Sequence, residues 1–173
     1  MKPEAETFRP NDGDRRPSSS SSSFATQIAV HPFLKGMSEA HLEIVADCAM
    51  AASFRRDEVI FREGDPANRF YLLLEGEVVL ESRARDRGTM FIQTVGAGDV
   101  LGWSWLFPPY YWHFDARVLQ PVRAIFLYGT RLRERCDQDH EFGYELMKRT
   151  AEVVIQRLQK TREHLPAICG AAG

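Results

Sequence analysis

Residues Phe61 to Val79 read FREGDPANRFYLLLEGEVV, and Gly96 to Gly102 read GAGDVLG. In the first stretch Gly64-Asp65-Pro66 is a turn: glycine supplies a positive φ, aspartate bonds its own backbone, and proline presets its φ. The apolar runs Phe70–Leu74 and Val78–Ser82 then read as strands, and Gly76 between them is expected to close a hairpin. Working outward, Ala52–Phe54 and Val59–Phe61 precede this core, and Met90–Val95 and Val100–Leu101 follow it. Asp86–Gly88 and Gly96–Asp99 separate them as turns. Phe114–Leu119 and Val122–Tyr128 complete the set, joined at Gln120-Pro121. Many short strands at this spacing predict an antiparallel sandwich or roll.

Helices flank the strands. Ser38 is a good N-cap, and Leu42, Val45, Ala46 and Ala49 recur at helical spacing from Glu39 to Met50. Thr130–Asp137 reads as a short helix. A longer one runs from about His140 to His164 and is expected to stop near Pro166, with Phe142, Leu146, Met147, Val153, Val154 and Leu158 at helical spacing. Residues 1–27 include the run Ser18–Ser23 and read as a disordered Ser-rich leader, because they carry too little apolar surface to offset ordering entropy. Residues 28–165 are the expected domain and 166–173 a short flexible tail.

Composition excludes several classes. Against 22 basic residues stand 24 acidic ones, for a net charge of −2, so no global field draws the chain to nucleic acid or an anionic membrane. No window reaches the ~20 apolar residues of a membrane span, and the N-terminus lacks the apolar core of a secretory signal. Cys48, Cys136 and Cys169 are odd in number and widely spaced, which points to reduced thiols and a cytoplasmic setting. Phosphate-loop, GxSxG and HExxH motifs are missing, so no catalytic residues are assigned and no enzyme activity is expected. His113 and Asp115 lie two apart on one strand, but metal sites usually need three ligands or more. A solvated pair is expected there, with neither metal nor cofactor. Cys48 reads as core; Cys136 reads as a bystander thiol, with Arg133 and Arg135 near enough in sequence to lower its pKa as the alternative.

Taken together, Phe61–Val79, Gly98-Asp99-x-x-Gly102 and the order helix, strands, helices resemble the cyclic-nucleotide-binding domain, the sensor of the catabolite activator protein and of cyclic-nucleotide-gated kinases and channels. The likeness covers roughly Val30 to Leu165. It implies a mainly β fold with flanking α: an antiparallel β-roll (a double-stranded β-helix, or jelly roll) with an N-terminal helix and C-terminal helices. It also implies a regulatory role, a cytoplasmic bacterial regulator of the Crp/Fnr type, and a homodimer through the C-terminal helix. With only a few residues after Leu165, no helix-turn-helix and no direct DNA binding are expected.

The resemblance further implies a phosphate-binding cassette beginning at Gly102. In the family a glutamate follows the glycine to accept a ribose hydroxyl, and an arginine about ten positions on pairs with the cyclic phosphate. Here Trp103 takes the glutamate position and Trp112 the arginine position, and all three tryptophans fall between residues 103 and 112. Alternation along the next strand puts Trp112, Phe114, Ala116 and Val118 on one face. A phosphate diester without a partner among indoles loses several kcal/mol relative to water. Binding of cyclic AMP or GMP in the family's pose is therefore not expected.

Arg157-Leu158-Gln159-Lys160-Thr161-Arg162-Glu163 resembles the helix stretch whose arginine and threonine face the ligand in the catabolite activator protein. The candidate ligand site is thus Leu101, Gly102, Trp103, Ser104, Trp112, His113 and Phe114 of the cassette, with Arg157 and Thr161 of the facing helix. Three readings remain open: a sensor for a small molecule other than a cyclic nucleotide, a plugged pseudo-sensor acting as a protein interaction module, and a genuine cyclic AMP sensor that uses Arg157 and Thr161.

Overall fold

A computed structural model describes residues 19–84 and 88–169. Helices α1 (Ser19–Val30) and α2 (Glu39–Asp47), with a 3-10 turn at Pro32–Leu34 between them, precede the strands. These are β1 (Ala49–Phe54), β2 (Val59–Phe61), β3 (Arg69–Ala84), β4 (Gly88–Gly96), β5 (Val100–Leu101) and β6 (Asp115–Tyr128). A second 3-10 turn, Trp103–Leu106, follows β5, and α3 (Gly129–Gln138) and α4 (His140–Cys169) end the described chain. Every strand pair is antiparallel, in the order β1-β6-β3-β4, with β2 on β6 and β5 on β3. The fold is the expected antiparallel β-roll with flanking helices.

Two long strands carry the roll because both of their faces are covered. Side chains alternate across a strand, and the alternation here sorts residues between two cores. Phe70 and Leu72 of β3, with Ile125 and Leu127 of β6, join Phe33, Leu34, Trp105, Phe142 and Leu146 beneath the helices. Tyr71, Leu73, Ala124 and Phe126 turn the other way and fill the roll with Val78, Leu80, Leu101, Ala116 and Val118. That is why residues 70–73 and 124–127 are unbroken apolar runs.

Three expectations about element limits are corrected. Gly76 closes no hairpin: β3 runs through it and bends, with its register against β6 shifting at Leu73/Glu75, Glu75/Glu77 and Glu77/Val78. β6 likewise passes straight through Gln120-Pro121. The two strands cross so closely that a Cβ on Gly76 would lie 2.2 Å from the Pro121 carbonyl oxygen. Glycine there serves close approach, not a turn. Second, helix structure begins at Ser19, ahead of the expected onset near Ile28, because Ile28 is fully buried and Phe24 packs on the helix-side core. Such packing overrides the weak helix propensity of serine. Residues 1–18 lie outside the described residues. Third, α4 continues through Pro166 to Cys169, since an interior proline costs one backbone bond and need not end a helix. Ser38 caps α2 as expected, its Oγ accepting from the His41 N–H at 3.3 Å, but α2 stops at Asp47 and β1 takes over at Ala49.

Arg149 of α4 ties the helices to the roll. It donates to the Phe33 and Lys35 carbonyls at 2.7 and 3.0 Å and to Glu145 at 2.6 Å. Glu145 also meets His41 Nδ1 at 3.1 Å. These bonds, those of Arg149 first, hold the Glu145 carboxyl below its ordinary range, so its contribution is present above the usual carboxylate value and fades only in stronger acid.

His31 acts in a higher window. It is buried at 3% exposure. Its Nδ1 accepts from the Phe33 N–H and its Nε2 lies 3.3 Å from the Leu73 carbonyl, the pattern of a neutral ring protonated at Nε2. Burial lowers its pKa from 6.5. The unfolded chain therefore takes up this proton first, and stability falls as pH drops below 6.5 toward the depressed folded value. Urea unfolding is expected to show a lower midpoint at about pH 5.5 than at about pH 7.5, with part of the difference removed by His31→Gln. An identical pH dependence in wild type and variant would refute this.

Candidate functional site

The cassette is built by two local devices. Gly102 sits at φ +87, a conformation that L side chains rarely adopt, and it turns the chain from β5 into the 3-10 turn. Downstream, the cassette folds back onto the Gly64-Asp65-Pro66 turn. Gly64 N–H donates to the Trp112 carbonyl and Trp112 N–H to the Asp65 carbonyl, both at 2.9 Å, while Ala67 N–H reaches the Tyr110 carbonyl at 2.6 Å. The turn that marks the fold in the sequence thus also fixes Trp112.

The three tryptophans have separate tasks. Trp105 is fully buried and points beneath the helices, its ring 5.9 Å from that of Phe70. Trp103 is half-buried, 6.4 Å from the rings of Phe107 and His113. Trp112 points into the roll. It is 4% exposed and stacks on Phe61 at 4.0 Å with planes 15° apart. Such pairs contribute about 0.5–1.5 kcal/mol beyond their burial. The indole also presses against Gly102, where an added Cβ would lie 2.7 Å from its Cζ3.

Leu101, Gly102, Trp103, Ser104, Trp112, His113, Phe114 and Arg157 line one cavity, joined by Phe61 and Leu80. Thr161 does not: its hydroxyl donates to the Arg157 carbonyl one turn back at 3.0 Å. The cavity measures about 20 Å³, whereas pockets for drug-sized ligands run from about 300 Å³ upward. Phe61 was missed by sequence reasoning. Its strand alternation alone did not show that it would back the indole.

Electrostatics follow the same pattern. Arg157 is the one arginine or lysine lining the cavity. Its guanidinium donates to the Val100 carbonyl. Burial pulls its pKa down to about 10, partly opposed by Asp99. His113 is exposed, but Asp115 is not the solvated residue anticipated. It is 7% exposed, accepts from the Glu63 N–H at 2.8 Å, and pairs with Arg83 at 3.0 Å. Its place next to the Phe61–Gly64 segment gives it a backbone donor to hold. At Cys136 the alternative of a lowered pKa is set aside: its thiol is pushed up to about 11, first by burial and then by Asp137, Cys48 and Asp139. Cys48 is buried, as expected of a core thiol. Among the described residues no group of three or more His, Cys, Asp or Glu side chains could hold a metal, and no helix is long and apolar enough to cross a membrane.

A β-roll with a glycine-led cassette facing a C-terminal helix defines the ligand-sensor class of regulatory domains. The family model for the cyclic nucleotide-binding domain matches residues 51–139. A crystal structure described as a cyclic nucleotide-binding protein of Geobacter metallireducens GS-15 is 32% identical, with a TM-score of 0.69, covering 75% of this chain and 93% of that one. The chain belongs to the cyclic nucleotide-binding domain family. A cyclic nucleotide-binding domain of Methylobacillus flagellatus shares the fold at 19% identity, with a TM-score of 0.74 over 84% of each chain. A CRP-like cAMP-activated global transcriptional regulator of Mycobacterium tuberculosis is 28% identical over 112 residues, 65% of this chain and 48% of that relative. The chain thus spans about half the length of that regulator.

Proposed function

We propose that this chain is a regulatory domain whose cyclic-nucleotide site is closed by its own side chains, and that it works as an interaction module without taking cyclic AMP or GMP in the family's pose. The observation that carries this reading is the Trp112 indole, stacked on Phe61 and seated on Gly102, with about 20 Å³ left beside it. Opening the site would mean exposing the indole and breaking the stack before any phosphate contact formed. The one cation within reach is already bonded to a carbonyl. Titration of the full chain with cyclic AMP and cyclic GMP, read by calorimetry and by tryptophan fluorescence, is expected to show no saturable change at micromolar ligand. Saturable binding lost in Trp112→Ala would favour a genuine sensor instead.

The partner surface is α4. The apolar positions of this helix divide. Phe142 and Leu146 are fully buried, and Val153 packs on the helix-side core. On the opposite side Tyr144, Met147 and Leu158 are 72%, 50% and 69% exposed. With Ala151 and Val154 they recur every three and four residues, the seam spacing of a two-stranded coiled coil. A helix thirty residues long with such a seam suits a second copy of itself. Light scattering is expected to give a dimer mass, and Leu158→Glu a monomer with an unchanged circular dichroism spectrum. A monomer in the unmutated chain would contradict the assignment.

A further inference from the structure

Outside the cassette, a cavity of about 190 Å³ lies in the seam between α4 and the corner where β4 leads into β5. Gln93, Thr94 and Asp99 line its roll side, and Glu152, Arg157 and Lys160 its helix side, with Arg149 also on the wall but engaged by Glu145 and the Phe33 and Lys35 carbonyls. Roughly nine times larger than the cassette remnant, it is still smaller than the ~300 Å³ at which drug-sized pockets begin. A compact polar metabolite fits it; a nucleotide does not.

The charge pattern narrows the class. Arg157 borders both cavities. It forms no ion pair among the described residues, and its guanidinium donates to a neutral carbonyl, that of Val100. A guanidinium has five N–H donors, and a partly desolvated one gains most from a carboxylate. The cassette side has no room for such a group, so an anion must arrive through the seam. The seam is not uniformly basic, however. Asp99 uses one oxygen to accept from the Gly96 N–H at 3.0 Å, and Glu152 lines the same cavity. These two acids would repel a phosphate dianion at short range, whereas a molecule carrying both signs satisfies both kinds of wall.

We propose that this seam binds a small zwitterionic carboxylate of the size and class of a free amino acid, its carboxylate on Arg157 and Lys160 and its ammonium group toward Asp99 and Glu152. Occupancy has a direct mechanical route outward. Arg157 holds the carbonyl of Val100, two residues before Gly102, and belongs to the helix that carries the dimer seam. A carboxylate competing for this guanidinium loosens the link between α4 and the cassette. The route of entry rests on the closed cassette proposed above; the lining of the seam does not.

The full chain would be titrated by calorimetry with each free L-amino acid singly, with succinate as an anion lacking an ammonium group, and with putrescine as the converse. At least one amino acid is expected to bind saturably at millimolar concentration or tighter, with succinate and putrescine each at least about tenfold weaker. Glu152→Gln and Lys160→Met change exposed side chains and should leave the fold intact while each weakens that binding about tenfold. No binding by any amino acid, succinate binding as tightly, or unchanged affinity in both variants would each overturn the proposal. A response to cyclic AMP in the same instrument would bear only on the cassette.

Discussion

Gly76→Ala is expected to be the most damaging single-methyl change in the chain. Two costs add. The residue sits at φ +89, where an L side chain loses roughly 1–2 kcal/mol. Its new Cβ would stand 2.2 Å from the Pro121 carbonyl oxygen and 2.8 Å from the Pro121 carbonyl carbon and the Val122 Cα. All three are backbone atoms of a strand bonded on both sides, so the strands must part, an overpacking cost of about 1–3 kcal/mol. A total of about 2–5 kcal/mol is a large share of the 5–15 kcal/mol by which a domain is stable. Gly64→Ala is the control: its φ is +86, but nothing lies within 4 Å of the added carbon, so only the backbone cost remains. Urea midpoints should fall far more for position 76 than for position 64. Equal losses would mean that the strand crossing tolerates a methyl group.

That crossing also marks the limit of what local sequence signals carry. Glu75-Gly76 and Gln120-Pro121 have the composition of turns, and each was read as one. In the folded chain they face each other at the bend of two continuous strands. Turn propensity reports what a dipeptide allows, whereas the need for glycine at 76 is set by Pro121, a residue 45 positions away. The roll itself was legible because its signals are local and redundant: apolar runs at strand length, glycines between them, a helix capped by Ser38 ahead of them and helical spacing after them. Serines 19–23 misled in the opposite direction. Their propensity is poor, but they precede Phe24 and Ile28, whose burial orders the helix.

The site was legible to a similar degree and for a similar reason. Counting from Gly102 singled out Trp112, and the indole of that residue lies against Gly102. Eight of the nine candidate residues line one cavity; Thr161 bonds within its own helix instead. What counting could not reach was Phe61, the platform under the indole, and the bond from Arg157 to the Val100 carbonyl. Both depend on how β2 and α4 approach the cassette in space. Burial of Asp115 escaped for the same reason, because its partners Glu63 and Arg83 come from two other segments.

Restoring the family's polar pair should reopen the cassette. Trp112→Ala alone is expected to cost about 3–5 kcal/mol, the usual range for deleting a buried tryptophan, since Phe61 loses its stacking partner. It should not by itself confer cyclic AMP binding: the hole is walled by Phe61, Leu80 and Leu101, and the one arginine on its lining, Arg157, is already bonded to the Val100 carbonyl. The combined change W103E/W112R supplies both missing contacts. An arginine at 112 starts from the backbone that the Gly64–Asp65 turn already holds, and it replaces an indole whose far edge lies against Gly102. A charged hydrogen bond contributes about 1.5–3 kcal/mol, so two should raise cyclic AMP affinity by at least about a hundredfold over the unmutated chain. Calorimetry at neutral pH is the test, with circular dichroism to establish that the variant folds. Trp105 remains in the double variant, but it lies beneath the helices, and the cassette signal in fluorescence should largely vanish. If the folded double variant still ignores cyclic AMP, the barrier lies in the placement of α4 and Arg157 and not in the two indoles. If Trp112→Ala alone binds the nucleotide, the indole was a lid over a working site and the closed-module reading fails.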